Sequence, residues 1–177
     1  MLFRSTSSAV KVDNPEVRRA RSLSVPVIPR AEMLAELMRL KHGIAVAGSH
    51  GKTTTTSLVV RMLTESGRRP NFIVGADMHD EGTGASWNGA DVMVVEADES
   101  DGTHLRLPLQ GTILTNIDGD HLDHYGSFEG IVAGFEAYLR GIDGPLVVCA
   151  DDPVISQFVQ RNPGRQWVTY GSSDDAM

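Results

Sequence analysis

The sequence predicts a three-layer α/β domain, a mostly parallel sheet with helices on both faces. Two observations lead there. Short apolar runs alternate along the chain with stretches of helical periodicity, as in successive βα units. One of those runs, residues 44–47, enters a glycine turn and then a lysine and a block of hydroxyls. Strand, glycine loop and helix start in that order are the layout of a phosphate-binding loop, so the expected fold is P-loop-type.

The elements follow from the same patterns. Residues 1–22 are polar and charged with weak periodicity, and read as a linker or the remnant of a preceding domain. A strand is expected at 25–28. Pro29 then precedes a helix at 32–40, with Leu34, Leu37, Met38 and Lys41 at helical spacing. After the strand at 44–48, a helix over 53–66 begins on hydroxyls and stops at Gly67, burying Leu58, Val59, Met62 and Leu63. Further strands are expected at 71–74, 92–97 and 112–116. Ser127 caps a helix carrying Ile131, Phe135, Tyr138 and Leu139 on one face. A strand at 146–149 leads to Asp152-Pro153, a cap and first turn ahead of Val154, Ile155, Phe158 and Val159. The last strand is expected at 166–170. No internal repeat is visible.

Composition narrows the function classes. At 177 residues the chain holds one domain, with room for part of a neighbour. Sixteen basic residues against 23 acidic ones give a net charge of −7, which argues against a nucleic-acid surface. Cys149 is the sole cysteine and lies in an apolar run, so a disulfide framework is excluded and a core position is expected. No apolar run reaches the length of about 18 residues that spans a bilayer. The first ten residues, MLFRSTSSAV, lack the apolar core of a signal peptide. A cytoplasmic setting is expected, with no membrane partner.

The loop at 44–57, IAVAGSHGKTTTTS, carries the chemistry. Unpaired N–H groups at a helix start and the positive end of its dipole favour an anion at one spot. Gly48 and Gly51 let the backbone approach phosphates, Lys52 supplies a point charge, and the Thr53 hydroxyl suits Mg2+. Ser49, His50 and Thr54 complete the expected nucleotide contacts. The longer G-x-x-x-x-G-K-[ST] pattern is not met, because Val46 stands at its first glycine; the shorter G-x-x-G-K-T-T is. A nucleoside triphosphate is the expected ligand.

Two more segments leave strands with polar residues in hand. Glu96, Asp98, Glu99 and Asp101 follow the strand at 92–97; Asn116, Asp118, Asp120, His121 and Asp123 follow the one at 112–116. In open parallel sheets ligands collect at such strand ends. Carboxylates beside a triphosphate repel it, by about 4 kcal/mol for unit charges about 4 Å apart at an effective dielectric of about 20. Either the acidic cluster faces away or a cation lies between, and Mg2+ takes oxygen ligands of this kind. Glu96, at the strand edge, and His121 are the stronger ligand candidates. Asp98, Glu99 and Asp101 read equally as a solvated turn. His42, His79, His104 and His124 are expected to be ordinary surface or capping residues.

Taken in order, the three segments resemble the Mur ligases, ATP-dependent enzymes that add amino acids to peptidoglycan precursors. The match runs through Gly48-Ser49-His50-Gly51-Lys52-Thr53-Thr54, through Glu96-Ala97-Asp98-Glu99-Ser100-Asp101-Gly102, and through Thr115 to Asp123. Ser7-Ser8-Ala9-Val10 and Asp13-Asn14-Pro15-Glu16 are similar to the end of the family's UDP-binding N-terminal domain. The resemblance implies that 1–28 is a remnant of that domain and its linker, and that 29–177 is the central ATP-binding domain, C-terminally incomplete. The branch it resembles most joins L-alanine to UDP-N-acetylmuramate through an acyl phosphate. Lys52 and the loop amides would then bind the β- and γ-phosphates; Thr53 and Glu96 would hold one Mg2+, and His121 with Glu96 a second. Lys52, Glu96 and His121 are the implied catalytic set. The partners implied are the two substrates and the enzyme's own N- and C-terminal domains.

Three departures and three alternatives accompany the resemblance. Serine stands at position 49, where threonine is usual. Several relatives carry a carbamylated lysine about fifteen residues beyond the metal histidine; no lysine follows Lys52 here, and Glu136 is the carboxylate near that position. Gly84 stands where the family usually has asparagine. A related branch, which recycles a tripeptide onto the same nucleotide sugar, is expected to carry tyrosine where Ser100 stands. A nucleotide-binding module without ligase activity would share the loop. A P-loop kinase or GTPase is disfavoured, since no N-K-x-D is present.

Overall fold

The computed structural model describes residues 3–7, 9–79, 81–98, 103–120 and 122–172. Its centre is a seven-stranded sheet in the order β5-β4-β6-β3-β7-β8-β9. The strands are β3 (His42–Ala47), β4 (Asn71–Met78), β5 (Thr83–Ser86), β6 (Val92–Glu96), β7 (Gly111–Leu114), β8 (Leu146–Cys149) and β9 (Trp167–Tyr170). All pairings are parallel except β4 with β5, a hairpin at the edge. The α/β expectation, parallel sheet included, holds.

Helix α3 (Lys52–Glu65) packs over β4, β6 and β3, closing a core of Val60, Phe72, Val74, Met78 and Val94. A larger core joins α2 (Arg30–Met38), α5 (Phe128–Arg140) and α6 (Pro153–Arg161) to the sheet through Met38, Ala45, Val95, Leu114, Phe135 and Ile155. Two separate clusters flank one sheet, which is the three-layer arrangement. The faces expected on α5 and α6 are the ones buried: Ile131, Phe135, Tyr138 and Leu139, then Ile155 and Phe158. Asp152 caps α6 as expected, Oδ1 accepting from Val154 N at 2.8 Å and Ile155 N at 2.9 Å.

Two expectations are corrected. On α3, Leu58 and Met62 are 58% and 71% exposed, whereas Thr56 and Val60 are buried. The Thr56 hydroxyl donates to the Lys52 carbonyl at 2.8 Å, so it enters the interior already satisfied. A reading by apolarity alone rotates the helix away from that face. His104, expected at the surface, is 1% exposed and stands against the rings of Tyr138 and Phe135, at 5.2 and 5.9 Å between centroids. The segment ahead of α2 adds detail without bearing on its reading as linker or remnant: it contains β1 (Arg4–Thr6) parallel to β2 (Val27–Pro29), and α1 (Pro15–Ser22) between them. Asn14 caps α1, its side chain accepting from Glu16 N at 2.9 Å ahead of Pro15 at the first helical position. That cap was in the sequence, but α1 buries only Val17 and Ala20, too little to show as periodicity.

Candidate nucleotide and metal site

Three strands matter here because they are neighbours. β3 lies between β6 and β7, with Val46 beside both Glu96 and Ile113. The chain leaving β3 goes to the β4 side, and β7 lies on the other flank. That reversal makes the C-terminal end of β3 a switch point, where open α/β sheets bind ligands. The three polar segments singled out in the sequence all leave this end.

The loop itself is held by backbone geometry. Gly48 has φ +127°, and a Cβ there would lie 2.9 Å from the Asn116 carbonyl oxygen, so the loop can only close against β7 with glycine. Gly51, at φ +79°, starts α3 from a left-handed conformation with open space around it. The first internal bond of α3 runs from Thr55 N to the Gly51 carbonyl at 3.0 Å. The N–H groups of Thr53 and Thr54 precede it and have no helical carbonyl to meet. Lys52 Nζ donates to the Gly48 carbonyl at 2.6 Å and to that of Ser49 at 3.2 Å, folding its charge over the loop. A polyphosphate entering the loop would compete for that ammonium.

Thr53 points across to β6. Its Oγ1 lies 3.0 Å from Glu96 Oε1 and 3.1 Å from Oε2. Glu96 Oε2 also accepts from the Gly75 amide of β4 at 2.8 Å. Of the carboxylates after β6, Glu96 is therefore turned toward the loop. The donor set fits a magnesium ion: a hydroxyl and a carboxylate, both hard oxygen ligands, meet beside the amides of a helix start. Glu99, Asp101 and His121 lie outside the described residues, as does Ser100. The side chain of His124 is likewise outside them. Among the described residues no group of three His, Cys, Asp or Glu side chains is arranged to hold a metal without a further ligand.

The segment after β7 braces the loop from the other side. Asn116 Oδ1 accepts from His50 N at 2.9 Å, and its Nδ2 donates to the His50 carbonyl at 3.0 Å. Thr115 Oγ1 donates to the same carbonyl at 2.7 Å. Ser49 Oγ accepts from Asp118 N at 2.8 Å. The His50 ring reaches Asp118 Oδ2 at 3.2 Å and Asp120 Oδ2 at 3.4 Å. The Gly119 amide, and then His50, hold the Asp118 carboxyl below its usual range. These bracing roles were not anticipated individually; the residues were read as one polar segment. A glycine closing the 71–75 run was the only sequence signal for Gly75.

Two carried-over positions lie elsewhere. Glu136 accepts from Arg140 Nη2 at 3.4 Å and lines a small cleft with Phe158, Asn162, Arg165 and Trp167. Trp167 begins β9, so this cleft is at the end of the strands opposite the loop, and Glu136 does not stand in for a carbamylated lysine there. Gly84 lies in β5, where a Cβ would meet the carbonyl oxygens of Ala76 at 3.0 Å and Val74 at 3.2 Å. A larger side chain needs β5 to give way. An open cleft of about 760 Å³, lined by Arg68, Arg69, Asn88 and Gly89, is also remote: it follows the C-terminus of α3 and precedes β6.

Residues 46–177 match the model of the Mur ligase middle domain, and residues 3–42 that of the Mur ligase family, catalytic domain. UDP-N-acetylmuramate–L-alanine ligase of Anaeromyxobacter sp. (strain Fw109-5) is 49% identical over 97% of this chain and 38% of its own length. The protein of that name from Methylobacterium nodulans is 51% identical over 96% of the chain and 36% of its own. Among solved structures, UDP-N-acetylmuramate-alanine ligase MurC of Thermotoga maritima superposes with a TM-score of 0.82 at 32% identity, over 96% of this chain and 38% of that one. The chain thus spans a little over a third of the length of these relatives.

Proposed function

This chain belongs to the Mur ligase family, and on that premise we propose that it is the nucleotide-binding part of an ATP-dependent ligase joining L-alanine to UDP-N-acetylmuramate. In this reading residues 1–28 finish a UDP-binding domain and 29–177 form the central ATP-binding one. The loop amides and Lys52 hold the β- and γ-phosphates. Thr53 and Glu96 would hold one Mg2+, and His121 with Glu96 a second. Magnesium supplies charge neutralisation on the transferring phosphoryl group. The reaction proposed has two steps. The muramate carboxylate attacks the γ-phosphate, giving an acyl phosphate and ADP; the alanine amine then displaces phosphate. The chain's own part is alignment: the rigid loop, braced by Thr115 and Asn116, fixes the phosphates in line. A cytoplasmic setting goes with these substrates.

The contact of Thr53 with Glu96 beside the loop carries the proposal. It supports the reading because a cation shared by these two oxygens would offset the repulsion between a carboxylate and a triphosphate. Titration of the 177-residue chain with ATP, with and without Mg2+, tests it. Binding strengthened by the metal is expected; binding indifferent to it overturns the metal assignment. Since the chain spans about 37% of its relatives' length, little or no ligation is expected from it alone. Phosphate release that depends on UDP-N-acetylmuramate and L-alanine, measured on a protein of the relatives' full length carrying this span, separates the ligase from a module that only binds nucleotide.

A further inference from the structure

We infer that Gly75 is a positioning residue for the metal site, holding the Glu96 carboxylate in the orientation that faces Thr53. The inference rests on the reading of Glu96 as a metal ligand. Two independent features of β4 support it. The Gly75 amide donates to Glu96 Oε2 at 2.8 Å, past the last paired residues of β4 and β6, Ile73 and Val95, where the amide is free of the ladder. The missing side chain matters as much. A Cβ on Gly75 would lie 2.9 Å from Glu96 Oε2 and 3.3 Å from Oε1, and those atoms are its nearest neighbours.

The obstruction falls on the far end of a flexible side chain, not on backbone. Its relief costs the fold little, because the carboxylate swings away. It costs the site its geometry, because Glu96 cannot keep both Thr53 and the Gly75 amide once displaced. The backbone of Gly75 carries no positive φ, so alanine is conformationally admissible. A residue with no side chain thereby governs where a ligand oxygen points. Such outer contacts typically change metal affinity by about 10–100-fold.

The experiment compares Gly75→Ala, Glu96→Ala and Gly164→Ala with the unaltered chain. Gly164 lies in a remote turn with open space around it, so it controls for an added methyl. Mn2+ binding in the presence of ATP is followed by electron paramagnetic resonance, and apo stability by thermal unfolding. Gly75→Ala is expected to unfold near the unaltered temperature, keep metal-free ATP binding, and lose about tenfold in Mn2+ affinity. Loss in Glu96→Ala with none in Gly75→Ala overturns this inference and leaves the metal site standing. No loss in either overturns the metal site itself, and the inference with it. Should Gly75→Ala not fold, the unaltered chain serves: the Gly75 amide resonance is expected to shift when Mg2+ joins ATP, and an unmoved resonance overturns the inference.

Discussion

Thr53 and Glu96 are 43 residues apart in sequence, and their side-chain oxygens lie 3.0 Å from one another at the end of the sheet. The hydroxyl comes from the first turn of α3 and the carboxylate from the last residue of β6. Their meeting depends on β6 pairing beside β3.

Thr53→Val keeps the shape of the side chain and removes the hydroxyl. The fold is expected to stand, and the metal-dependent part of ATP affinity to fall by about tenfold, the size of a hydrogen bond to a charged group. Calorimetric titration with and without Mg2+ checks this; an unchanged metal effect sinks the role given to Thr53.

Lys52→Ala removes the ammonium that lies over the loop. ATP affinity is expected to drop by at least about tenfold whether or not metal is present. A loss confined to the metal-containing titration contradicts a direct phosphate contact.

Asn116→Ala frees the His50 N–H and leaves the His50 carbonyl to the Thr115 hydroxyl. Amide exchange at His50 is expected to quicken while the sheet amides stay protected. Several-fold weaker nucleotide binding accompanies it. Unchanged exchange at His50 shows that the brace is not needed.

The Asp118 carboxyl is held below its ordinary value of 3.8, first by the Gly119 amide and then by His50. A depressed value in the fold means that the contact's contribution is present above 3.8 and disappears as pH falls through the lower folded value. His50→Ala is expected to raise the Asp118 midpoint only part of the way to 3.8, since the Gly119 amide remains. Carbon-detected titration of the side chain reads this, and full restoration contradicts the order of causes.

Tyr138 OH lies 2.7 Å from Thr112 Oγ1, which itself donates to the Ala45 carbonyl at 3.0 Å; the phenol is therefore the donor to threonine. Tyr138→Phe is expected to cost about 1 kcal/mol, and Thr112→Val more, because it leaves a buried hydroxyl unmet. In thermal unfolding the first amounts to about 2–4 °C. Burial raises the Tyr138 pKa, so its contribution is complete below the unfolded value of 10.0 and is lost as pH climbs beyond it.

Much of this molecule could be read locally. The glycine loop, Lys52 and the hydroxyls behind it gave the expectation of an anion site, because each residue type has a local reason to be there. The caps at Ser127 and Asp152 declared α5 and α6 for the same reason. The hairpin strand β5, with glycine and small residues and no apolar alternation, was not legible. Neither was the buried face of α3, where a satisfied threonine replaces an apolar residue.

Local chemistry along the chain thus gave most of the strands and helices of the central sheet and the expectation of an anion at the loop after β3. The fold alone decided that β6, β3 and β7 lie side by side, that Glu96 turns toward Thr53, and that Gly75 leaves space for it. Strand order leaves no period in a sequence: it emerges from the burial of two separate cores against one sheet, and contacts across 40 or more residues follow from it.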